Sequence, residues 1–69
     1  MIISFDGAKL KRILLERGIR QVDFAAVVGI NKITLSQIEN GHKIPSLSLA
    51  GKIAYHLDLK IDDLIKKEG

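Results

Sequence analysis

The sequence predicts an all-α fold, a compact bundle of five short helices, and three observations carry that expectation. At 69 residues the chain has the length of one domain and buries only about 60% of its unfolded surface. Its apolar share is 46%, with two Phe, one Tyr and no Trp, so a thin core of Leu, Ile, Val and Ala is expected, which suits small helices packed closely. Apolar residues recur at helical spacing between glycine and proline breaks. No repeat, low-complexity segment or linker interrupts the chain, so residues 1–69 are expected to form one domain.

Each element has its own local signals. Asp6 can cap a first helix, about residues 7–17, whose Leu10, Ile13, Leu14 and Arg17 follow i, i+3, i+4, i+7 spacing. Gly18 ends it in the left-handed conformation that glycine tolerates best. Gln21 to Val28 reads as a second helix with Phe24, Ala25 and Val28 inward, closed by Gly29. Asn31 then caps a third, Lys32 to Glu39, which stops at Asn40-Gly41. His42 to Pro45 is a loop, because the residue before proline is pushed out of the helical region. Ser46 can cap a fourth helix, about 47–57, with Leu49, Ile53, Ala54 and Leu57 on its inner face. Gly51 inside it costs about 1 kcal/mol relative to Ala, and reads either as a site of close backbone approach or as a tolerated defect. Asp58 is a turn residue, and Ile61 to Lys67 reads as a last short helix. Its Asp62 and Asp63 would stand in the first turn and Lys66 and Lys67 in the last, matching the helix dipole. Ile2, Ile3 and Phe5 are expected to fold back onto the core rather than to reach a second subunit.

Composition narrows the function classes. No cysteine is present, so neither a disulfide framework nor a thiolate zinc site can supplement the core. The apolar runs fall far short of the ~18 residues a membrane span needs, and Met1-Ile2-Ile3 lacks the charged flank and apolar length of a signal peptide. A soluble, cytoplasmic chain with no membrane partner is expected. His42 and His56 lie on different elements, no His/Asp/Glu set has metal-ligand spacing, and no glycine-rich phosphate loop follows a strand. The chain is therefore not read as an enzyme, and no metal or cofactor is expected.

The charge is modest overall, +3, but uneven. Residues 1–57 hold eight Lys/Arg against four acids, net +4, whereas residues 58–69 hold three Lys against four acids, net −1. The basic character thus lies in residues 1–57, within which residues 18–41 read as two short helices pinned by a glycine turn, a geometry for presenting one helix to a DNA groove. On a wheel of about 100° per residue, Lys32, Ile33, Ser36, Gln37 and Asn40 occupy one arc of about 140°, with Leu35 and Ile38 opposite. Gln37 can pair with adenine N6 and N7, Lys32 can donate to guanine O6 and N7, and Ile33 can meet a thymine methyl. Gln21 and Asn40 are placed more like backbone clamps. Taken singly, each of these is also an ordinary surface residue.

In combination they are more specific. Gly18-Ile19-Arg20-Gln21, Phe24-Ala25, Gly29-Ile30-Asn31, Ile38-Glu39-Asn40-Gly41 and Pro45-Ser46-Leu47, followed by Ile53-Ala54 and Leu57, resemble the lambda-repressor-like, Cro and XRE-type helix-turn-helix family from about Phe5 to Ile65. The resemblance implies that Gln21 and Asn40 hold DNA phosphates, that Lys32, Ile33 and Gln37 touch bases, and that the protein binds a pseudo-palindromic operator as a homodimer, with half-sites about 34 Å apart. Ser36, on the same arc, joins the candidate base readers, and Lys43 in the following loop joins Arg20 among the candidate phosphate contacts.

Three departures from the family pattern stand out. Arg20 occupies the position of a Ser or Thr cap and cannot accept the amide hydrogen bond, so it is expected to reach a phosphate instead. Leu14 stands where an arginine usually pairs with the glutamate matching Glu39, which leaves Glu39 to Arg17, Arg12 or solvent. Val22, Ala26 and Val27 make the second helix apolar on its outer side, either because a partner covers it or as scattered surface residues. The reading is a sequence-specific duplex-DNA-binding transcriptional regulator, a homodimeric repressor with its third helix in the major groove. With no residues left for a separate sensing domain, control is expected through concentration, dimerisation, proteolysis or a regulatory protein partner. The alternatives that keep the fold are an antitoxin-type regulator that also binds a toxin, and a protein-interaction module.

Overall fold

Capping chemistry written into the chain sets the helix boundaries. The computed structural model describes the backbone of residues 2–68 and the side chains of residues 4–66. In order, it contains strand β1 (Ile2–Phe5), helices α1 (Gly7–Glu16), α2 (Gln21–Val28), α3 (Lys32–Glu39) and α4 (Leu47–His56), a 3-10 turn (Ile61–Leu64) and strand β2 (Ile65–Glu68). Asp6, Asn31 and Ser46 cap α1, α3 and α4 as expected, each side-chain oxygen accepting from the amide three residues on, at 3.1, 2.7 and 3.1 Å. Arg17 and Leu57 are caps rather than the last helical residues of α1 and α4.

All four helices end alike. After each comes a residue with positive φ, Gly18, Gly29, Asp58 or Gly41. The next amide reaches back to the last turn, as in Ile19 N–H to the Leu14 carbonyl and Leu59 N–H to the Ala54 carbonyl, both 2.9 Å. This Schellman pairing satisfies carbonyls that would otherwise be orphaned. Only α4 makes it without glycine, using Asp58 at φ 57°, a conformation that Asp adopts more readily than most residues.

The expected fifth helix is replaced by other structure. Asp63 lies in the first turn as predicted, where its carboxylate accepts from the Lys60 amide at 3.0 Å, but the turn stops at Leu64, and Ile65–Glu68 continues as a strand. Lys66 therefore lies in a strand, not at a helix C-terminus. Antiparallel pairing sets Ile2 against Glu68, Ile3 against Lys67, Ser4 against Lys66 and Phe5 against Ile65, extended by a 2.7 Å bond from Asp6 N–H to the Leu64 carbonyl. The N-terminal segment does fold back, with Phe5 packed on the core. The side chains of Ile2, Ile3 and Lys67 lie outside the described residues.

One core joins the helices to the turn: Leu10 and Leu14 of α1, Phe24, Ala25 and Val28 of α2, Leu35 and Ile38 of α3, Ile53 and Ala54 of α4, and Leu57 and Leu64. Burying a side chain such as Leu or Phe is worth about 1.5–3 kcal/mol. Helix α3 contributes just two of these apolar groups, and a second kind of contact seats it. Gly7, at the start of α1, lies so close to the end of α3 that a Cβ there would come 2.0 Å from the Ile38 carbonyl oxygen and 3.0 Å from Glu39 Cα. Helix backbone thus meets helix backbone, which only glycine permits.

Gly51 is the opposite case. A Cβ there would meet only Ile61 Cδ1, at 3.7 Å, an ordinary van der Waals contact, so close approach is not the reason for this glycine. Gly51→Ala is expected to raise stability by about 0.5–1 kcal/mol, read as a higher urea midpoint at unchanged m-value. Gly7→Ala, favourable by helix propensity alone, is expected to lower stability by about 1–3 kcal/mol through overpacking, seen as a lower midpoint in the same titration.

Candidate nucleic-acid interface

With Leu35, Ile38 and Glu39 facing inward, the rest of α3 is left outward. Lys32, Ile33, Gln37 and Asn40 are exposed and Ser36 is half-buried. Ile33, a β-branched apolar residue, is 71% exposed. Together with His42, these five residues line one shallow groove of about 400 Å³. His42, in the loop after α3, thus borders the same groove. Asn40 Nδ2 donates to Ser36 Oγ at 3.4 Å, so the two polar side chains of this face are weakly coupled. Lys43 is exposed but sits apart from that groove, beside Asn31 and Thr34 at the other end of α3.

The start of α2 forms the second part of the site. Arg20 makes no side-chain cap, as its chemistry requires, and the first-turn amides of α2 are left uncapped by a side chain, a partial positive charge facing outward. Arg20 is not free, however: its Nε donates to Asp23 Oδ2 at 2.8 Å, with both side chains exposed. An exposed pair of this kind is worth about 0–1 kcal/mol, so the guanidinium exchanges partners easily.

Glu39 differs most from expectation. It pairs with neither Arg17 nor Arg12 and is not solvated, being 4% exposed. Its Oε1 accepts a hydrogen bond from Gln21 Nε2. Arg17 instead donates through Nη1 to the Leu57 carbonyl at 2.7 Å, tying the end of α1 to the end of α4. The sequence does contain the signal for burial: Glu39 follows Leu35 by four residues, about 40° away on the wheel, and so shares the inward face. Glu39 Oε2 is buried with no hydrogen-bond partner among the described residues. Both carboxylate and Gln21 border a cavity of about 700 Å³ that Lys11, Arg20, Lys32 and Ser36 also line. Lys11, on α1, is a cation that the spacing around α2 and α3 does not bring into the site. Three basic side chains at one opening give it a positive potential that attracts polyanions, and the buried carboxylate offsets only part of it.

Among the described residues no helix is long and apolar enough to cross a membrane. The helix-turn-helix family matches residues 10–64, which takes in most of α1 and all of α2, α3 and α4. An HTH-type transcriptional regulator of Methanocaldococcus jannaschii is 39% identical over 56 residues, covering 81% of this chain and 85% of that protein. The ImmF control region 10 kDa protein of Bacillus phage phi105 is 33% identical over 58 residues, 84% of this chain and 64% of that protein. Among solved structures, the biofilm master regulator SinR in complex with DNA superposes with a TM-score of 0.73 at 28% identity, covering 81% of this chain and 90% of that one. With the four-helix core, the short α2–α3 turn and an outward-facing α3 already established, the chain belongs to the lambda-repressor-like, XRE-type helix-turn-helix family of DNA-binding transcription regulators.

Proposed function

We propose that the protein is a cytoplasmic repressor that binds operator DNA as a homodimer, with α3 of each protomer in the major groove. The observation that carries this reading is the outward groove of α3, where Lys32, Ile33, Ser36 and Gln37 stand together while the helix is held from behind by Leu35 and Ile38. Gln37 reads adenine through its amide, Lys32 donates to guanine, Ile33 packs on a thymine methyl, and Ser36 bonds to either kind of base edge. Arg20, Gln21, Asn40 and Lys43 take the phosphates on either side and set the register. The uncapped amides of α2 add an uncharged anion site beside Gln21. The dimer is inferred from the family's habit of reading two half-sites about 34 Å apart.

A partner-binding role has less to support it. Val22 and Val27 are 52% and 57% exposed and Ala26 is exposed between them, but these three small side chains are spread over about 140° of the helix.

Selection from a random duplex library is expected to return a palindromic consensus, and its absence together with no duplex binding at low salt would favour an interaction module. Gln37→Ala should weaken binding to that consensus by about 1–3 kcal/mol and leave affinity for random duplex nearly unchanged. Equal losses on both DNAs would remove Gln37 from base reading. Asn40→Ala should weaken both to the same extent, because a phosphate contact carries no sequence information. Replacing Lys43 by Ala should lower the slope of log affinity against log salt by about 0.9, measured by fluorescence anisotropy.

A further inference from the structure

We infer that Glu39 is a positioning residue for the phosphate clamp: its buried carboxylate orients the Gln21 amide, and so acts on DNA without touching it. The inference rests on the reading of Gln21 as a phosphate contact. Gln21 is the first residue of α2, beside the helix's uncapped amides, and is half-buried. Its Nε2 donates to Glu39 Oε1 from an element 18 residues away in sequence.

An ionised carboxylate can only accept, so it fixes which end of the Gln21 amide turns inward. The nitrogen faces Glu39, one N–H is used, and the second N–H remains available for a phosphate oxygen. An unpinned glutamine samples several rotamers and both amide orientations, and must be ordered when DNA arrives. Glu39 does that ordering in advance, and its own placement is rigid: it stands 4% exposed at the point where Gly7 brings α1 against the backbone of α3. Because the contact runs from α3 to α2, it also sets the clamp's position relative to the reading face. Lys11 and Lys32 line the same cavity and oppose the repulsion that a carboxylate near the phosphates would otherwise exert.

Two variants separate orientation from charge. Glu39→Gln and Glu39→Leu both remove the negative charge, but only Glu39→Gln keeps an oxygen that can accept from Gln21. Glu39→Leu is expected to bind random duplex about fivefold more weakly than Glu39→Gln, the size of one hydrogen bond between uncharged groups. In a Gln21→Ala background the two should bind equally. Equal binding with Gln21 present, or a difference that persists in the Gln21→Ala background, would overturn the inference. If Gln21→Ala alone leaves duplex affinity unchanged, the phosphate reading of Gln21 itself fails, and the inference with it. A measurement on the unaltered protein guards against a Glu39→Leu variant that does not fold. The chain has two glutamines, and in an ¹⁵N correlation spectrum of the free protein the Gln21 side-chain amide should exchange with water more slowly than that of exposed Gln37. Equal exchange would show that the pin is absent.

Discussion

The fold depends on how little holds its most exposed helix. Most of the circumference of α3 is bare, and the helix places only Leu35 and Ile38 in the apolar core. Truncating a buried leucine costs about 2–5 kcal/mol, comparable to the few kcal/mol that a core in a chain this small supplies. Such a narrow seam would leave the helix free to rock. The backbone contact at Gly7 limits that motion, since van der Waals surfaces meeting directly leave no flexible side chain to yield. The placement of Glu39, the floor of the basic cavity and the direction of the exposed face of α3 follow from that contact.

Buried polar groups in such a small protein serve geometry more than stability. Glu39 carries one oxygen with no donor among the described residues, and leaving a buried acceptor unsatisfied costs about 1–3 kcal/mol or more for a charged group. An apolar residue would cost less but could not hold Gln21. Arg17, by contrast exposed, links two helix ends. Its hydrogen bond to the Leu57 carbonyl ties the end of α1 to the end of α4, and gives a C-terminal carbonyl a charged donor.

What could be read in advance was whatever the chain encodes within four or five residues. Asp6, Asn31 and Ser46 announce helix starts because a cap acts on the amide three residues on. Gly18, Gly29 and Gly41 announce ends because positive φ selects them. The outward arc from Lys32 to Gln37 was legible for the same reason, since a wheel needs only local periodicity. Three features depended on distant partners and were missed or misassigned. Ile65–Glu68 has helical charge placement, yet becomes a strand because Ile2–Phe5 offers it a ladder and tertiary pairing overrides propensity. Glu39 and Arg17, both surface-like by composition, found partners on other helices. Gly51 was ambiguous because propensity states its cost but not its neighbours, and only the distance to Ile61 settles it.

The pairing of β1 with β2 also bears on the order of folding. The Schellman ends and side-chain caps close within a single turn, so the helices can form on sub-microsecond to microsecond timescales and dock through short loops. The two strands join segments about 60 residues apart, and closing a loop of that size costs about 3–4 kcal/mol in chain entropy. A four-residue ribbon cannot meet that cost alone. It forms only after the helical core has brought the segments together. On opening the order reverses, so the ribbon is the first unit to part. Because Phe5 leads directly through Asp6 into Gly7, its parting loosens the start of α1, and with it the backbone contact that steadies α3.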